Sequence, residues 1–331
     1  MTKKTSVPLL TSVIFMLIAC GGGSSETVPP EETVPPEETV PPEETVPPEE
    51  TVPPEECESC SWNIDQWKLT LPVSKDDYYG TGGDSAAELI PADCSGKTRL
   101  SNDTNEPYFW VDDSDERMYF QVNLGDSGAT TINSSYVRSE LRELYHYQTQ
   151  DPCSSSNQNW AINQQHQLSS SLRIEQYPQI NGQDPKVIVG QIHAYQIKQA
   201  LVKLQWDGPN KPIRAILNDS FAPNNDSCDS CQSFSVELGT VDAGTQWHYD
   251  IVANQQGLTI TTEINNTTTA RTLAWGEPVL AKDGKYYSLT EAWLEETYYF
   301  KAGIYPQIQP DEDYQNQIFE VSFDKITIQH Q

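Results

Sequence analysis

Three short stretches of this 331-residue chain carry side chains whose types and spacing could do chemistry. Residues alternate between the two faces of a β-strand, so Arg138, Glu140 and Arg142 share one face and Val137, Ser139 and Leu141 the other. By the same alternation Gln191, His193 and Tyr195 oppose Gly190, Ile192 and Ala194. A third stretch sets Tyr299, Lys301, Gly303, Tyr305 and Gln307 against Phe300, Ala302, Ile304 and Pro306. Each piece alone has a bland explanation. An Arg-Glu-Arg face is usually a solvated ion-pair surface of little energetic weight, and a lone histidine or tyrosine is commonly a packing residue. Together the stretches supply a cation, an amide, an imidazole and a phenol, each on a strand with a mostly apolar reverse side. Those are the parts of an elimination: a base, an acid and donors for developing negative charge.

The elements that must hold these groups are strands. Beyond Trp62 the chain has almost no apolar repeat of helical period, while runs rich in Val, Ile, Thr and Tyr recur between turn residues. Strands are expected at 117–123, 136–147, 168–176, 187–196, 201–206, 234–238, 248–253, 258–264, 298–305 and 319–328. Ten such strands suit an all-β, two-sheet sandwich of jelly-roll type, and the 275 residues from Cys57 to Gln331 suffice for one sizeable core. The segments 74–105 and 207–233 offer no clear periodicity.

The remaining chain concerns location. Lys3 and Lys4 precede an apolar run from Val7 to Ala19, too short for an ordinary membrane span, so residues 1–19 read as a secretion signal. Leu17-Ile18-Ala19-Cys20 followed by glycine resembles a lipobox, in which Cys20 is acylated. Gly21 fits sorting to the outer membrane of a Gram-negative bacterium. From Thr27 to Glu56 the unit Thr-Val-Pro-Pro-Glu-Glu occurs five times. Proline stiffness and like-charge repulsion make the repeat, within a linker of 20–56, an extended stalk, its 30 residues reaching roughly 90 Å at about 3.1 Å per residue. Of the net charge of −28, the part from Cys57 onward carries −19, which argues against nucleic acid as a partner. An acidic protein can still take an acidic polymer if its basic residues converge in one groove. Six cysteines remain after Cys20, namely Cys57, Cys60, Cys94, Cys153, Cys228 and Cys231, an even number for an oxidising compartment. The two Cys-x-x-Cys pairs lie too far apart for a zinc ribbon, so disulfides are expected, with the pairing open.

The stretches Arg138-Ser-Glu-Leu-Arg-Glu143, Gln191-Ile-His193 and Tyr299-Phe-Lys-Ala-Gly-Ile-Tyr-Pro-Gln307 resemble, in order and spacing, the three signature regions of the alginate lyases of polysaccharide lyase family seven. Trp67-Lys-Leu-Thr-Leu-Pro72 is similar to that family's opening strand, and Val321 to Ile328 to its last. The resemblance implies a concanavalin A-like jelly roll with a groove across one sheet, and catalytic domain bounds of 57–331. It also implies β-elimination on alginate. His193 would be the base and Tyr305 the acid, with Arg138 and Gln191 neutralising the uronate carboxylate. Glu140 is expected to orient the two arginines at the substrate site, where Arg142, Lys301, Tyr299 and Gln307 bind neighbouring sugars. Ile192 between the glutamine and histidine is associated with guluronate-containing blocks. No metal or cofactor is required, and a monomer is expected, touching membrane only through its lipid. Pro306, where the family usually has asparagine, puts the local strand pairing in question. The rival readings are a non-catalytic carbohydrate-binding lipoprotein and a glycoside hydrolase; the latter normally needs two carboxylates flanking the bond.

Overall fold

The computed structural model describes residues 64–90, 105–112, 114–126, 128–131, 134–146, 149 and 158–331. The signal, Cys20, the repeat linker and Cys57, Cys60, Cys94 and Cys153 lie outside the described residues.

Among the described residues two large antiparallel sheets face each other. The first runs, edge to edge, through Ser233–Thr240, Pro212–Asn218, Ala200–Trp206, Val187–Ala194, Thr297–Pro306, Ser139–Glu143, Trp67–Ser74 and Ala86–Leu89, with Trp160–Ala161 pairing onto Thr297–Pro306. The second runs through Thr267–Ala274, Gly257–Ile264, Trp247–Asn254, His166–Gln176, Ile318–His330, Arg117–Asn123, Phe109–Asp112 and Asn105–Glu106. Strands adjacent in space are often distant in sequence, as in a jelly roll. The fold is the all-β sandwich that the alternation pattern demands.

The core between the sheets is aliphatic and aromatic. Leu69, Leu141, Ile192, Phe300 and Ile304 of the first sheet are fully enclosed, as are Phe120, Leu172, Ile251, Val321 and Phe323 of the second. Burying side chains of this size contributes about 1.5–3 kcal/mol each before entropy is charged. The sheets are also joined by a polar contact: the buried Tyr249 hydroxyl donates to the carbonyl of Val189, 2.9 Å away. Gly190 makes room for that ring, since a Cβ there would lie 2.5 Å from the Tyr249 oxygen.

The sequence expectation differs from the structure at several points. The strand expected over 136–147 is only Ser139–Glu143, and the chain turns soon after it, with His146 at a φ of 62°. The segment 207–233 contains the strand Pro212–Asn218, whose Ile213, Ala215 and Leu217 are buried. The strand Thr267–Ala274 has no apolar face because it is a solvent-exposed sheet edge. Pro306 does not break its strand: it is the last residue of Thr297–Pro306, opposite Val187, and Gln307 N–H resumes bonding to the carbonyl of Lys186 at 2.8 Å. The irregularity sits before it, between Ala302 and Tyr305, where Gly303 adopts a φ of 121°. A side chain at Gly303 would come within 2.7 Å of the Ser139 carbonyl oxygen.

Candidate active site

The three chemically suggestive stretches become neighbours in one sheet. Val187–Ala194 pairs with Thr297–Pro306, which pairs with Ser139–Glu143. The register sets His193 opposite Tyr299, Gln191 opposite Lys301, and Lys301 opposite Arg142. Their polar faces form the floor of a cleft of about 330 Å³, lined among others by Arg138, Arg142, Gln191, His193, Tyr299, Lys301 and Tyr305.

Beneath that floor lies one carboxylate. Glu140 is only 1% exposed, and its oxygens accept from Arg138 (2.7 Å), the Gln191 side-chain amide and the Lys301 ammonium. Burial alone would raise its carboxyl pKa, but Lys301 and Arg138 beside it hold it below the usual range. Lys301, itself buried and repelled by Arg138, is pushed down to about 8 despite its bond to Glu140. Glu140 thus locks an arginine, an amide and a lysine into one constellation.

On the floor, Arg138 lies over the Tyr305 ring, its guanidinium carbon 3.8 Å from the centroid. The Ser134 hydroxyl donates to the Tyr136 carbonyl at 2.9 Å, so the 2.9 Å contact between Ser134 Oγ and Tyr305 Oη has the phenol donating. His193 stacks on Tyr299, centroids 5.6 Å apart and planes 15° apart. Its Nδ1 lies 2.9 Å from the carbonyl of Ala194, which can only accept. The neutral ring therefore carries its proton on Nδ1 and a bare lone pair on Nε2. Burial first, then the positive charges of Lys301 and Arg138, lower its pKa to about 4. The ring is neutral at neutral pH by a wide margin, where the sequence alone suggested a value near 6.5.

Three of the sequence-derived site residues are placed differently from expectation. Glu140 does not line the cleft and pairs with one arginine, Arg138, rather than two; its other partners, which alternation could not reveal, are Gln191 and Lys301. Arg142 lines the cleft, but its guanidinium donates to the backbone carbonyls of Glu143 and Gln158 (3.0 Å for the latter) and to the Asn159 side chain. It lies 4.1 Å over the Tyr299 ring, so it supports that tyrosine and does not present a free fork to a sugar carboxylate. Gln307 is outside the cleft lining, its amide 3.2 Å from the carbonyls of Tyr305 and Pro306, because the strand has ended and the alternation with it. Sequence reasoning missed Ser134, Lys203 and Lys68. Ser134 lies in a turn with no periodic signal. Lys203 was visible as the one charged residue of the expected strand 201–206.

Only one cysteine pair falls among the described residues, and it is a disulfide, Cys228–Cys231, with Cα atoms 5.4 Å apart. Among the described residues no three His, Cys, Asp or Glu side chains group so as to hold a metal ion.

A sandwich with a polar groove across one sheet, floored by cations, an imidazole and a phenol, defines the class: a carbohydrate-active β-jelly roll suited to an anionic chain. The sequence model of the alginate lyase family matches residues 62–330, and the chain belongs to that family, polysaccharide lyase family seven. It is a polysaccharide lyase that depolymerises alginate. Among solved structures it resembles the alginate lyase from Klebsiella pneumoniae, with 20% identity and a TM-score of 0.57, covering 82% of this chain and 97% of that one. An alginate lyase from Pseudomonas aeruginosa shares 22% identity at a TM-score of 0.55, covering 82% and 100%. The alginate lyase A1-II′ shares 23% at 0.55, covering 82% and 96%. At these identities the likeness concerns the fold. No curated protein matches the chain in sequence.

Proposed function

We propose that the cleft cleaves alginate by β-elimination, with His193 as base, Tyr305 as acid, and Arg138 and Gln191 as donors to the carboxylate of the reacting uronate. Removing the C5 proton pushes negative charge into a group that is already anionic, so preorganised donors carry much of the catalysis. The observation that carries the reading is the continuous linkage Tyr305–Arg138–Glu140–Gln191, two residues from His193 on the same strand face. Glu140 fixes the donors before substrate arrives, so little reorganisation is needed during the reaction. The bare Nε2 of a neutral His193 accepts the C5 proton. Tyr305 releases Ser134 and protonates the departing C4 oxygen; where the C5 hydrogen lies on the same side as that oxygen, as in mannuronate, a deprotonated Tyr305 oxygen can take the C5 proton and return it to the C4 oxygen. Lys301 and Tyr299 complete the floor beside the sugar.

Action on guluronate-containing blocks is the favoured specificity. It rests on Ile192 within the Gln191-Ile192-His193 motif, and on A1-II′ variants with a tyrosine replaced by phenylalanine that were captured with a product GGG and, with a histidine also replaced, a substrate GGMG. Ile192 is fully buried beneath the floor, so its influence would be through packing. The enzyme is proposed to be a monomer held at the outer membrane of a Gram-negative bacterium by acylated Cys20, with the repeat stalk as its tether. Replacing Cys20 by serine should then release it from the membrane fraction.

The test of the reaction is incubation with polyguluronate, polymannuronate and mixed alginate while following the ultraviolet absorbance of the unsaturated uronate. Elimination gives chromophore with every new chain end, fastest on guluronate-containing polymer. New reducing ends without chromophore would mean hydrolysis, and binding without either would mean a non-catalytic lectin.

A further inference from the structure

The register of the first sheet places Lys68 opposite Arg142, Arg142 opposite Lys301, Lys301 opposite Gln191 and Gln191 opposite Lys203. A single line across five strands therefore carries four cations and one amide. At a strand spacing of about 4.8 Å it spans roughly 19 Å. Three of the cations are already engaged by the protein. Lys68 pairs with Glu88 at 2.7 Å, Arg142 is held by backbone carbonyls, and Lys301 by Glu140.

Lys203 differs. It lines the same cleft, next to Gln191 on one side and Ile216 on the other, yet among the described residues its ammonium has neither an ion pair nor a hydrogen bond. The side chain is part-buried, and burial, followed by repulsion from Arg138, pushes its ammonium below the usual lysine range. A partly desolvated cation without a counter-charge is costly. The cost is offset when an anion arrives from outside. Asn225 N–H donates to the Gln196 carbonyl at 2.8 Å, and Asn225 and Lys198 line the same cleft as Lys203. The loop bearing Asn225 is cross-linked just beyond by Cys228–Cys231.

We propose that Lys203 binds the carboxylate of the uronate adjacent to the one being cleaved, and that the substrate chain crosses the strands along this line. Lys203 is then a subsite residue that sets affinity and registers the polymer, and its part in the proton transfers is nil. The inference rests on the reading of the cleft as an alginate eliminase and names the neighbouring subsite.

The experiment compares wild type with Lys203→Met, Lys203→Gln and Lys203→Arg on alginate, by chromophore rate at several salt concentrations. Loss of one charge-assisted contact should raise KM about tenfold in the Met and Gln variants. In both, kcat should change much less and KM should depend less steeply on salt, while the Arg variant recovers most of the affinity. Thermal stability should not fall, because the removed charge has no protein partner. Met and Gln variants with wild-type KM and wild-type salt dependence, or with kcat lost at unchanged KM, would overturn this inference alone. A wild-type protein that leaves alginate uncut would overturn the reading of the cleft, and this inference with it.

Discussion

Glu140 and Glu143 stand three residues apart in one strand, both almost fully buried, yet they organise opposite sides of the sheet. Glu140 lies on the cleft side of the sheet, beneath the floor, and gathers cations and an amide. Glu143 faces the interior, where one oxygen accepts from Trp160 Nε1 (2.9 Å) and from the backbone N–H of Phe300 (2.7 Å), while the other lies 2.8 Å from His330 Nε2. His330 Nδ1 is in turn 2.7 Å from His166 Nδ1, and His166 Nε2 is 2.8 Å from the Ala161 carbonyl. That carbonyl fixes the tautomer: His166 donates from Nε2 and accepts on Nδ1 from His330. The close approach of His330 to Glu143 ties the last strand of the second sheet to the first. The same residue type preorganises chemistry on one face and clamps two sheets on the other. Strand parity decides which.

The comparison is broken most forcefully at the floor. His193→Ala and Tyr305→Phe should each lower kcat by about 10²- to 10⁴-fold, the usual span for a lost general acid or base. Circular dichroism and melting temperature should stay near wild type, which separates chemistry from folding. Glu140→Gln should come next: it strands Arg138 and Lys301 without their counter-charge, and breaking a buried pair costs about 3–5 kcal/mol. Urea unfolding should register that loss, and chromophore formation should slow as the donors lose their alignment. Glu143→Gln is the contrasting case, with an expected stability loss of about 1–3 kcal/mol and unchanged kcat in the folded fraction. An equal kcat loss in both glutamate variants would erase the distinction between the two regions.

Proton linkage gives the finest separation. The folded-state pKa of His193 lies below its unfolded value, as does that of His166, lowered to about 4 mainly by burial. Between about pH 6.5 and 4 the unfolded chain binds more protons at these sites, so stability rises with pH there. The contribution is complete above about 6.5 and is lost as pH falls through about 4. For activity, kcat/KM should hold on acidification until His193 protonates near pH 4, rather than near its unperturbed value. A His166→Phe variant should flatten part of the stability slope and leave the acid limb of activity in place. Unfolding titrations and pH–rate profiles on the same preparations read the two effects apart.

Much of this was legible before any coordinates. Alternation alone put Arg138, Gln191, His193, Tyr299, Lys301 and Tyr305 on polar faces, because a strand in a sandwich must turn its apolar side inward. Parity does not report depth, which is why Glu140 looked like a surface residue and proved to be enclosed by its own partners. Nor does it report what a long side chain bonds to. Arg142 shares the face of Arg138, yet its donors are taken by a neighbouring turn whose carbonyls only the fold brings near. Gln307 was assigned by extending the alternation one step past the end of its strand. Ser134 and the partnerless state of Lys203 depend on contacts between segments far apart in sequence, and no local pattern encodes them. The exposed edge strand Thr267–Ala274 was invisible for the opposite reason, since a strand with no buried face leaves no periodic trace.

The most direct measurement is a crystal structure of the Tyr305→Phe variant with a bound alginate oligosaccharide. One uronate ring should sit with its carboxylate on Arg138 and Gln191, its C5 facing His193 Nε2 and its C4 oxygen beside position 305. A ring held elsewhere on the sheet, or a carboxylate turned away from both donors with His193 out of reach of C5, would contradict the account.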